Sequence, residues 1–192
     1  MACPSLRPVI GALLAGGSGS RLGRTSKSAA VLAGRPLASY PAEALAAVCD
    51  RVAVVCKSDT ELPSLPNVER WDEPDEPRHP LTGIVHALET AGGPVLVCAA
   101  DMPFVTADAC RTLLQVAGQG GSAVVGTADG IMQPTFGLYA PSALKVLRAA
   151  PADAPLTATV EALDPVRVAL PAALVRSVNT LEELAEAEAL LR

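Results

Sequence analysis

An apolar run, VIGALL at residues 9–14, stops abruptly at a loop rich in glycine and serine, which then gives way to Arg21, Arg24 and Lys27. A short run of Val, Ile and Leu suits a buried strand. Gly16, Gly17 and Gly19 let the following backbone turn sharply and present its N–H groups. Such N–H groups beside fixed cations make a receptor for phosphate. The plainer alternative is a flexible Gly/Ser loop with solvated arginines. The strand running directly into the loop favours phosphate binding. Two standard phosphate loops fail on spacing. A P-loop ends in Gly-Lys-Ser/Thr, whereas Lys27 follows Ser26 here; the dinucleotide fingerprint needs glycine at position 22, which is Leu, the glycine coming at 23.

A chain of 192 residues suits one domain. Half of it is hydrophobic but only 3% is aromatic, so the core has to be aliphatic and rich in alanine. A formal charge of −5 argues against a nucleic-acid binder that works through a general basic surface. Positive charge is instead concentrated at residues 21–27. The five cysteines are odd in number and form no C-x-x-C pair; Cys56 and Cys98 sit in apolar runs. Reduced thiols in a cytosol fit this better than a disulfide framework. Arg7 with the following apolar run imitates a signal peptide, but the apolar stretch is short and the strand reading accounts for it. No run is long enough for a membrane-spanning helix. The expectation is a cytoplasmic protein with no membrane and no nucleic-acid partner.

Strand and helix patterns alternate along the chain. The spacing predicts strands at 51–56, 67–71, 94–100 and 122–126, with helices at 81–91 and 106–116. An Ala-rich helix is expected after the GRP turn (34–36), with Pro41 in or near its first turn and its end near Val48. Residues 72–80, DEPDEPRHP, have no periodicity and read as a loop. In the second half, FGLYA (136–140) reads as a strand and 142–150 as a helix, with short strand candidates in VRVALP and LVRSV. A last helix begins at Thr180 with Glu183 three residues on, a capping box. This alternation implies an α/β fold, a three-layer sandwich with a mostly parallel Rossmann-like sheet and helices on both faces. Ligands of such sheets sit beyond the carboxyl ends of the strands. Leu14, Cys56, Trp71 and Ala100 end strands, so the motifs after them should meet on one rim. Asp101 follows a strand directly; a carboxylate there is placed either to hold Mg²⁺ or to cap the next helix.

The opening loop closely resembles the signature of the nucleoside-triphosphate transferases that activate sugars and pterins, and above all that of the molybdenum cofactor guanylyltransferases. The matching residues are Leu14, Ala15, Gly16, Gly17, Arg21, Gly23 and Lys27. The resemblance continues in GRPL (34–37), PLTGI (80–84), ADMPF (100–104), QPTFGLYAP (133–141) and SVNTLEELA (177–185), and so covers nearly the whole chain. It implies one nucleotidyltransferase domain over 1–192, with a nucleotide-binding part at about 8–105 and an acceptor-binding part at about 106–192. The implied reaction is transfer of GMP from MgGTP to the phosphate of molybdopterin, releasing pyrophosphate. GTP and molybdopterin or molybdenum cofactor would be the substrates, with proteins of the molybdenum cofactor pathway as further partners.

The resemblance also assigns roles. Lys27 contacts the nucleotide phosphates, where a fixed ammonium would offset charge building on the leaving pyrophosphate; its alternative is a solvated lysine. Arg21 is a second phosphate contact, and Arg24 a weaker one. Asp101 matches the metal-binding Asp and is counted with Lys27 and Arg21 in the catalytic set. Asn179 matches an Asn that helps hold the metal in related enzymes, or else caps locally beside Thr180. Leu14, Ala15 and Gly16 would hold the base or ribose through backbone atoms. Asp72, counted back from PLTGI, matches a nucleotide-contacting Asp, and Asp75, Glu73 and Glu76 read as solvated loop residues. Gly83 matches a glycine where a side chain could obstruct the nucleotide.

Two positions depart from the pattern: Ser177 replaces a usual Asn, and His79 a usual Gly. His79 receives no role, and His86 reads as structural. A phosphate monoester is already anionic near neutral pH, so positioning and charge neutralisation suffice without a general base. Leu-Ala-Gly-Gly, against the Leu-Ala-Ala-Gly of cytidylyltransferase relatives, implies GTP, Gly16 leaving room for a purine. The rival readings are a CTP-dependent molybdopterin cytidylyltransferase, a sugar-phosphate nucleotidyltransferase, and a non-catalytic nucleotide-binding accessory protein.

Overall fold

The computed structural model describes residues 8–16, 30–117, 120–151 and 154–191. Strand β1 (Ile10–Leu14) takes up the apolar run. A small hairpin of β2 (Val31–Leu32) and β3 (Arg35–Pro36) turns at Ala33 and Gly34, both with positive φ; only the glycine adopts that conformation without steric cost. Helix α1 (Ser39–Ala46) follows, with Pro41 in its first turn, where the missing N–H is not needed. Then come β4 (Arg51–Cys56), β5 (Val68–Asp72) and helix α2 (Pro80–Ala91). Helix α2 starts with proline at its first position and stops at Gly92 in the left-handed conformation, the usual asymmetry of helix ends. Strand β6 (Val95–Ala99), α3 (Ala107–Ala117), β7 (Ala123–Ala128) and β8 (Ile131–Tyr139) complete the middle of the chain. The short α4 (Leu144–Ala149) and α5 (Leu156–Glu161), β9 (Val166–Ala169) and α6 (Leu181–Leu190) end it.

Seven strands form one sheet in the order β5-β4-β1-β6-β8-β7-β9. β1 is parallel to β4 and β6, and β4 to β5. β8 alone runs against its neighbours β6 and β7, while β9 is parallel to β7. The expected α/β architecture, with a mostly parallel sheet covered on both faces, is found. Alternation along β6 divides the core. Leu96 and Cys98 face α1 and α3, packing with Leu45 and Leu113. Val95 and Val97 face α2, α4 and α5, packing with Ile84, Leu147 and Val160. Both faces are buried, which is why the parallel strands read as unbroken apolar runs. A third cluster joins Leu32 and Leu37 to Val178 and Ala187, seating α6 on the small hairpin.

The cysteines behave as small hydrophobes. Cys49, Cys56, Cys98 and Cys110 are free. Burial pushes the thiols of Cys49 and Cys110 up to about 12 and that of Cys56 to about 11. They therefore stay protonated and unreactive near neutral pH.

Three elements differ from expectation. β8 starts at Ile131 rather than near Phe136, because its pairing with β7 shifts register between Val125 and Gly126. Gly126 faces Gln133, while Val125 faces Gly137. The surplus residues bulge, which tolerates Pro134 inside a strand. The Tyr139 hydroxyl, on a fully buried ring, donates to the Pro134 carbonyl at 2.6 Å and closes the bulge. LVRSV is not a strand: Ala172–Val175 is a 3-10 turn entered from Pro171, after β9 has already taken the edge beside β7. Helix α5 gave no sequence signal, because it is only six residues long and follows a segment rich in proline and alanine.

Gly137 pairs with Val97 on one side and Val125 on the other. A Cβ there would lie 2.8 Å from the Val124 carbonyl oxygen and 2.8 Å from Val125 Cγ1. The backbone oxygen belongs to the ladder and cannot yield cheaply. Gly137→Ala should therefore cost about 1–3 kcal/mol of stability, read as a lower urea midpoint with an unchanged denaturant slope.

Candidate active site

The parallel strands deliver their carboxyl ends to one rim. Leu14 lies opposite Val55 and Ala99, and Cys56 lies opposite Asp72. The ladder runs one residue further on each strand. Ala15 N–H donates to Val55 O, Ala100 N–H to Leu14 O, and Glu73 N–H to Cys56 O, each at 2.9 Å. The loops that follow are thus fixed where they leave the sheet. They enclose a cleft of about 210 Å³. Leu14, Ala15 and Gly16 form its floor, Asp101 one wall, and Glu73 and Gly83 the other. Gly17, Arg21, Arg24 and Lys27 lie outside the described residues.

Asp101 leaves β6 and is tied to the far end of the chain. Its carbonyl accepts a hydrogen bond from Val178 N–H at 2.8 Å. This bond draws residues 177–179 up to the cleft, where Ser177 joins the wall. The helix that follows Asp101 has a different cap: Thr106 Oγ1 accepts from Ala109 N–H at 3.2 Å. Asp101 is therefore not the cap of α3. Asn179 sits at the entrance to α6, outside the residues that line the cleft. Its N–H donates to Glu183 Oε2 at 2.5 Å, and Thr180 N–H donates to the same oxygen at 3.1 Å. Glu183 N–H donates to Thr180 Oγ1 at 3.1 Å, completing the expected capping box. The cap itself is thus Thr180.

The charged loop after β5 differs most from its sequence reading. Asp72 faces outward: its side chain is 54% exposed, 2.7 Å from Arg70 Nε, and does not line the cleft. Its neighbour Glu73, expected to be solvated, is buried and does line it. The cause is Lys57, which is fully buried at the end of β4. Lys57 Nζ lies 3.4 Å from Glu73 Oε1 and donates to the carbonyls of Pro74 at 2.5 Å and Pro77 at 3.1 Å. Burial raises the Glu73 carboxyl above its ordinary range, and the Lys57 ammonium offsets only part of that rise. Register explains the meeting. Cys56 and Asp72 are paired across parallel strands, so the next residues, Lys57 and Glu73, are neighbours. An apolar strand ending in lysine, beside a strand ending in two acids, was the available signal; the register was not readable from sequence.

Gly83, in the first turn of α2, comes close to this carboxylate. A Cβ on it would lie 3.1 Å from Leu14 Cδ2 and 3.2 Å from Glu73 Oε2. A Cβ on Gly16 would overlap Glu73 Oε1. The space at Gly16 is therefore occupied by a carboxylate rather than left open. His79 lines the cleft and caps α2, its Nδ1 accepting from Leu81 N–H at 3.2 Å. Arg78 stands at the cleft, ion-paired to Asp59 at 2.6 Å. Thr135, carried by the β8 bulge, closes the opposite side. Among the described residues no three His, Cys, Asp or Glu gather into a metal cage. A single carboxylate at Asp101 suits a magnesium ion whose remaining ligands are phosphates and water.

A small-residue floor at the end of a parallel strand, with a carboxylate across from it, suits a nucleotide site. Comparison with known families agrees: the model of the MobA-like NTP transferase domain matches residues 11–168. The chain belongs to the MobA-like NTP transferase family. It is similar to a molybdenum cofactor guanylyltransferase of Cereibacter sphaeroides, 35% identical over 141 residues and 68% of each chain. A Pseudomonas putida protein of the same name is 31% identical over 142 residues, covering 72% of this chain and 73% of its own. The crystal structure of molybdopterin-guanine dinucleotide biosynthesis protein A from Archaeoglobus fulgidus superposes with a TM-score of 0.75. It is 24% identical and covers 95% of this chain and 98% of its own, a likeness of fold. As a MobA-like NTP transferase the protein is a nucleotidyltransferase, and its cleft lies where that fold's strand ends converge. Among the described residues no helix is long and apolar enough to cross a membrane.

The Lys57–Glu73 pair is internal to this transferase's site and can be tested by stability. Removing one partner of a buried pair leaves an uncompensated charge. Lys57→Met should cost about 3–5 kcal/mol. Adding Glu73→Gln to it should recover part of that loss, since no buried charge then remains. Urea unfolding of both variants checks the order.

Proposed function

We propose that the protein transfers GMP from MgGTP to the terminal phosphate of molybdopterin and releases pyrophosphate. The observation that carries this reading is the cleft itself: residues 14–16 form its floor and Asp101 one wall, in a chain whose relatives are molybdenum cofactor guanylyltransferases. A phosphate oxygen of molybdopterin attacks the α-phosphorus of GTP. The bond from that phosphorus to the bridging oxygen breaks, and pyrophosphate leaves with the electron pair. The nucleophile is already an anion, so the step needs no general base.

Leu14, Ala15 and Gly16 hold the base or ribose against the strand ends. Gly83 keeps the facing helix turn clear of side chain. Lys27 and Arg21, with Gly17, contact the phosphates and neutralise the charge that develops on them. Nucleotidyltransferases generally use a divalent cation, and Mg²⁺ would be held by Asp101, with Asn179 nearby. Bound there, the ion would supply charge neutralisation and alignment of the phosphate oxygens. Asp72, being exposed, can reach the nucleotide only from the cleft margin. The nucleotide half is residues 8–105; residues 106–192 supply the acceptor side, past Thr135 and Ser177. GTP and molybdopterin are the partners, and proteins of the molybdenum cofactor pathway would deliver and collect the cofactor in the cytoplasm.

Asp101→Asn should keep the fold and lower transfer roughly 10²-fold, with a higher Mg²⁺ requirement. Activity titrated against Mg²⁺, beside a thermal melt, checks this; wild-type rate and Mg²⁺ dependence would remove Asp101 from the mechanism. Lys27→Ala should lower transfer roughly 10²-fold with little change in melting temperature. The assignment as a whole is tested by incubating the protein with molybdopterin and GTP, CTP or ATP and weighing the products by mass spectrometry. GTP should be preferred. Equal or better use of CTP would overturn guanylyl transfer in favour of the cytidylyltransferase reading.

A further inference from the structure

Glu73 has one more property that its ion pair leaves unexplained. Its side chain is 4% exposed, and Oε1 faces Lys57. Oε2 is shut off from water and has no hydrogen-bond partner among the described residues. A buried carboxylate oxygen left unpaired is costly. Lys57 cannot serve it, because its ammonium is already directed to Oε1 and to the Pro74 and Pro77 carbonyls. Two positions nevertheless keep space around this group, Gly16 beside Oε1 and Gly83 beside Oε2. The same carboxylate lines the cleft next to the partly exposed Leu14, which offers apolar surface to a flat ring. Gly83 lines the same cleft, so Oε2 lies in its wall, and the soft terminal torsion of a glutamate lets that oxygen adjust to a ligand there.

We propose that Glu73 is the specificity-determining residue of this site, its free Oε2 accepting N–H from the Watson–Crick edge of a guanine base. Lys57 is the positioning residue that holds the carboxylate in place. The proposal rests on the guanylyl-transfer reading and deepens it. Guanine carries two adjacent donors on that edge, N1–H and the 2-amino group. Adenine presents an acceptor at N1, which a carboxylate repels. Cytosine presents an acceptor at N3 beside its amine. A buried acceptor rejects a base without the matching donor, because the acceptor stays unpaired.

The experiment is equilibrium binding of GTP, ITP and ATP with Mg²⁺ to the whole chain, without molybdopterin, and binding of inorganic tripolyphosphate as a probe of the phosphate site. The wild type should bind GTP more tightly than ITP, which lacks the 2-amino group, and ITP more tightly than ATP. In Glu73→Gln, Lys57 will orient the amide oxygen towards itself, so the NH₂ replaces Oε2 and faces the base as a donor. The GTP/ATP affinity ratio should then fall by about tenfold or more, with tripolyphosphate binding unchanged. Gly16→Ala, which displaces the carboxylate without removing its charge, should lower the ratio in the same direction and carries the test if Glu73→Gln does not fold. A wild-type ratio in Glu73→Gln or Gly16→Ala, or an equal loss of GTP, ATP and tripolyphosphate, would overturn the proposal while leaving guanylyl transfer standing. A wild type with no preference for GTP would overturn both. A Glu73-dependent preference in a protein that transfers nothing to molybdopterin would uphold the base reading and overturn the acceptor.

Discussion

Strand β1 is hydrogen-bonded on both sides by parallel strands, and the site follows from that constraint. Its register sets Leu14 against Val55 of β4 and Ala99 of β6. Parallel pairing makes all carboxyl ends point the same way, so each strand's next loop opens on one rim. The extra rungs at Ala15, Glu73 and Ala100 extend the ladder into those loops. The positions of Gly16, Glu73 and Asp101 are therefore fixed by sheet geometry more than by the loops themselves. A slip of one residue in β4 would turn its alternating core faces over and separate Lys57 from Glu73.

Much of this was legible in the sequence. The buried parallel strands are written as apolar runs, and the strand ends fall at or within a residue of Leu14, Cys56, Trp71 and Ala100. Thr180 and Glu183 announced α6 through side-chain chemistry that needs no tertiary context. What stayed hidden depends on contacts between distant segments. The β8 bulge arises from a mismatch with β7, and the turn at 172–175 from an edge already filled by β9. In the site, the floor at 14–16 and Asp101 were readable because each directly follows a strand. Glu73 was not: in DEPDEPRHP it looks as solvated as Asp75 and Glu76, and only the register of β4 with β5 selects it for burial.

The antiparallel strand has a role in assembling the cleft. After β6 the parallel progression ends, and β8 returns against it. Its bulge, closed by the Tyr139 hydroxyl, carries Thr135 to the rim from the second half of the chain. Residues 177–179 arrive by another route, through the Val178–Asp101 hydrogen bond and the packing of Val178 and Ala187 on Leu32 and Leu37. The same small hairpin lies between the basic loop and α1 in sequence. The C-terminal helix is thus anchored to the hairpin and to the end of β6, so residues from both ends of the sequence meet at one cleft.

Lys57 and Glu73 give this arrangement its electrostatic character. A buried ion pair is weak as a source of stability, since desolvation of both charges offsets their attraction. An aliphatic residue pair of similar volume would suit the surrounding Leu14 and Val55 at least as well. Two glycines, at positions 16 and 83, also forgo side chains around it. A chain with so aliphatic a core can tolerate such a locally unfavourable cluster. In the proposed nucleotide complex the cost is recovered when a ligand N–H reaches Oε2, since one hydrogen bond then removes the penalty of an unpaired buried oxygen. The same oxygen penalises any base that cannot supply the donor, so the feature that weakens the unliganded fold is the one that discriminates among ligands.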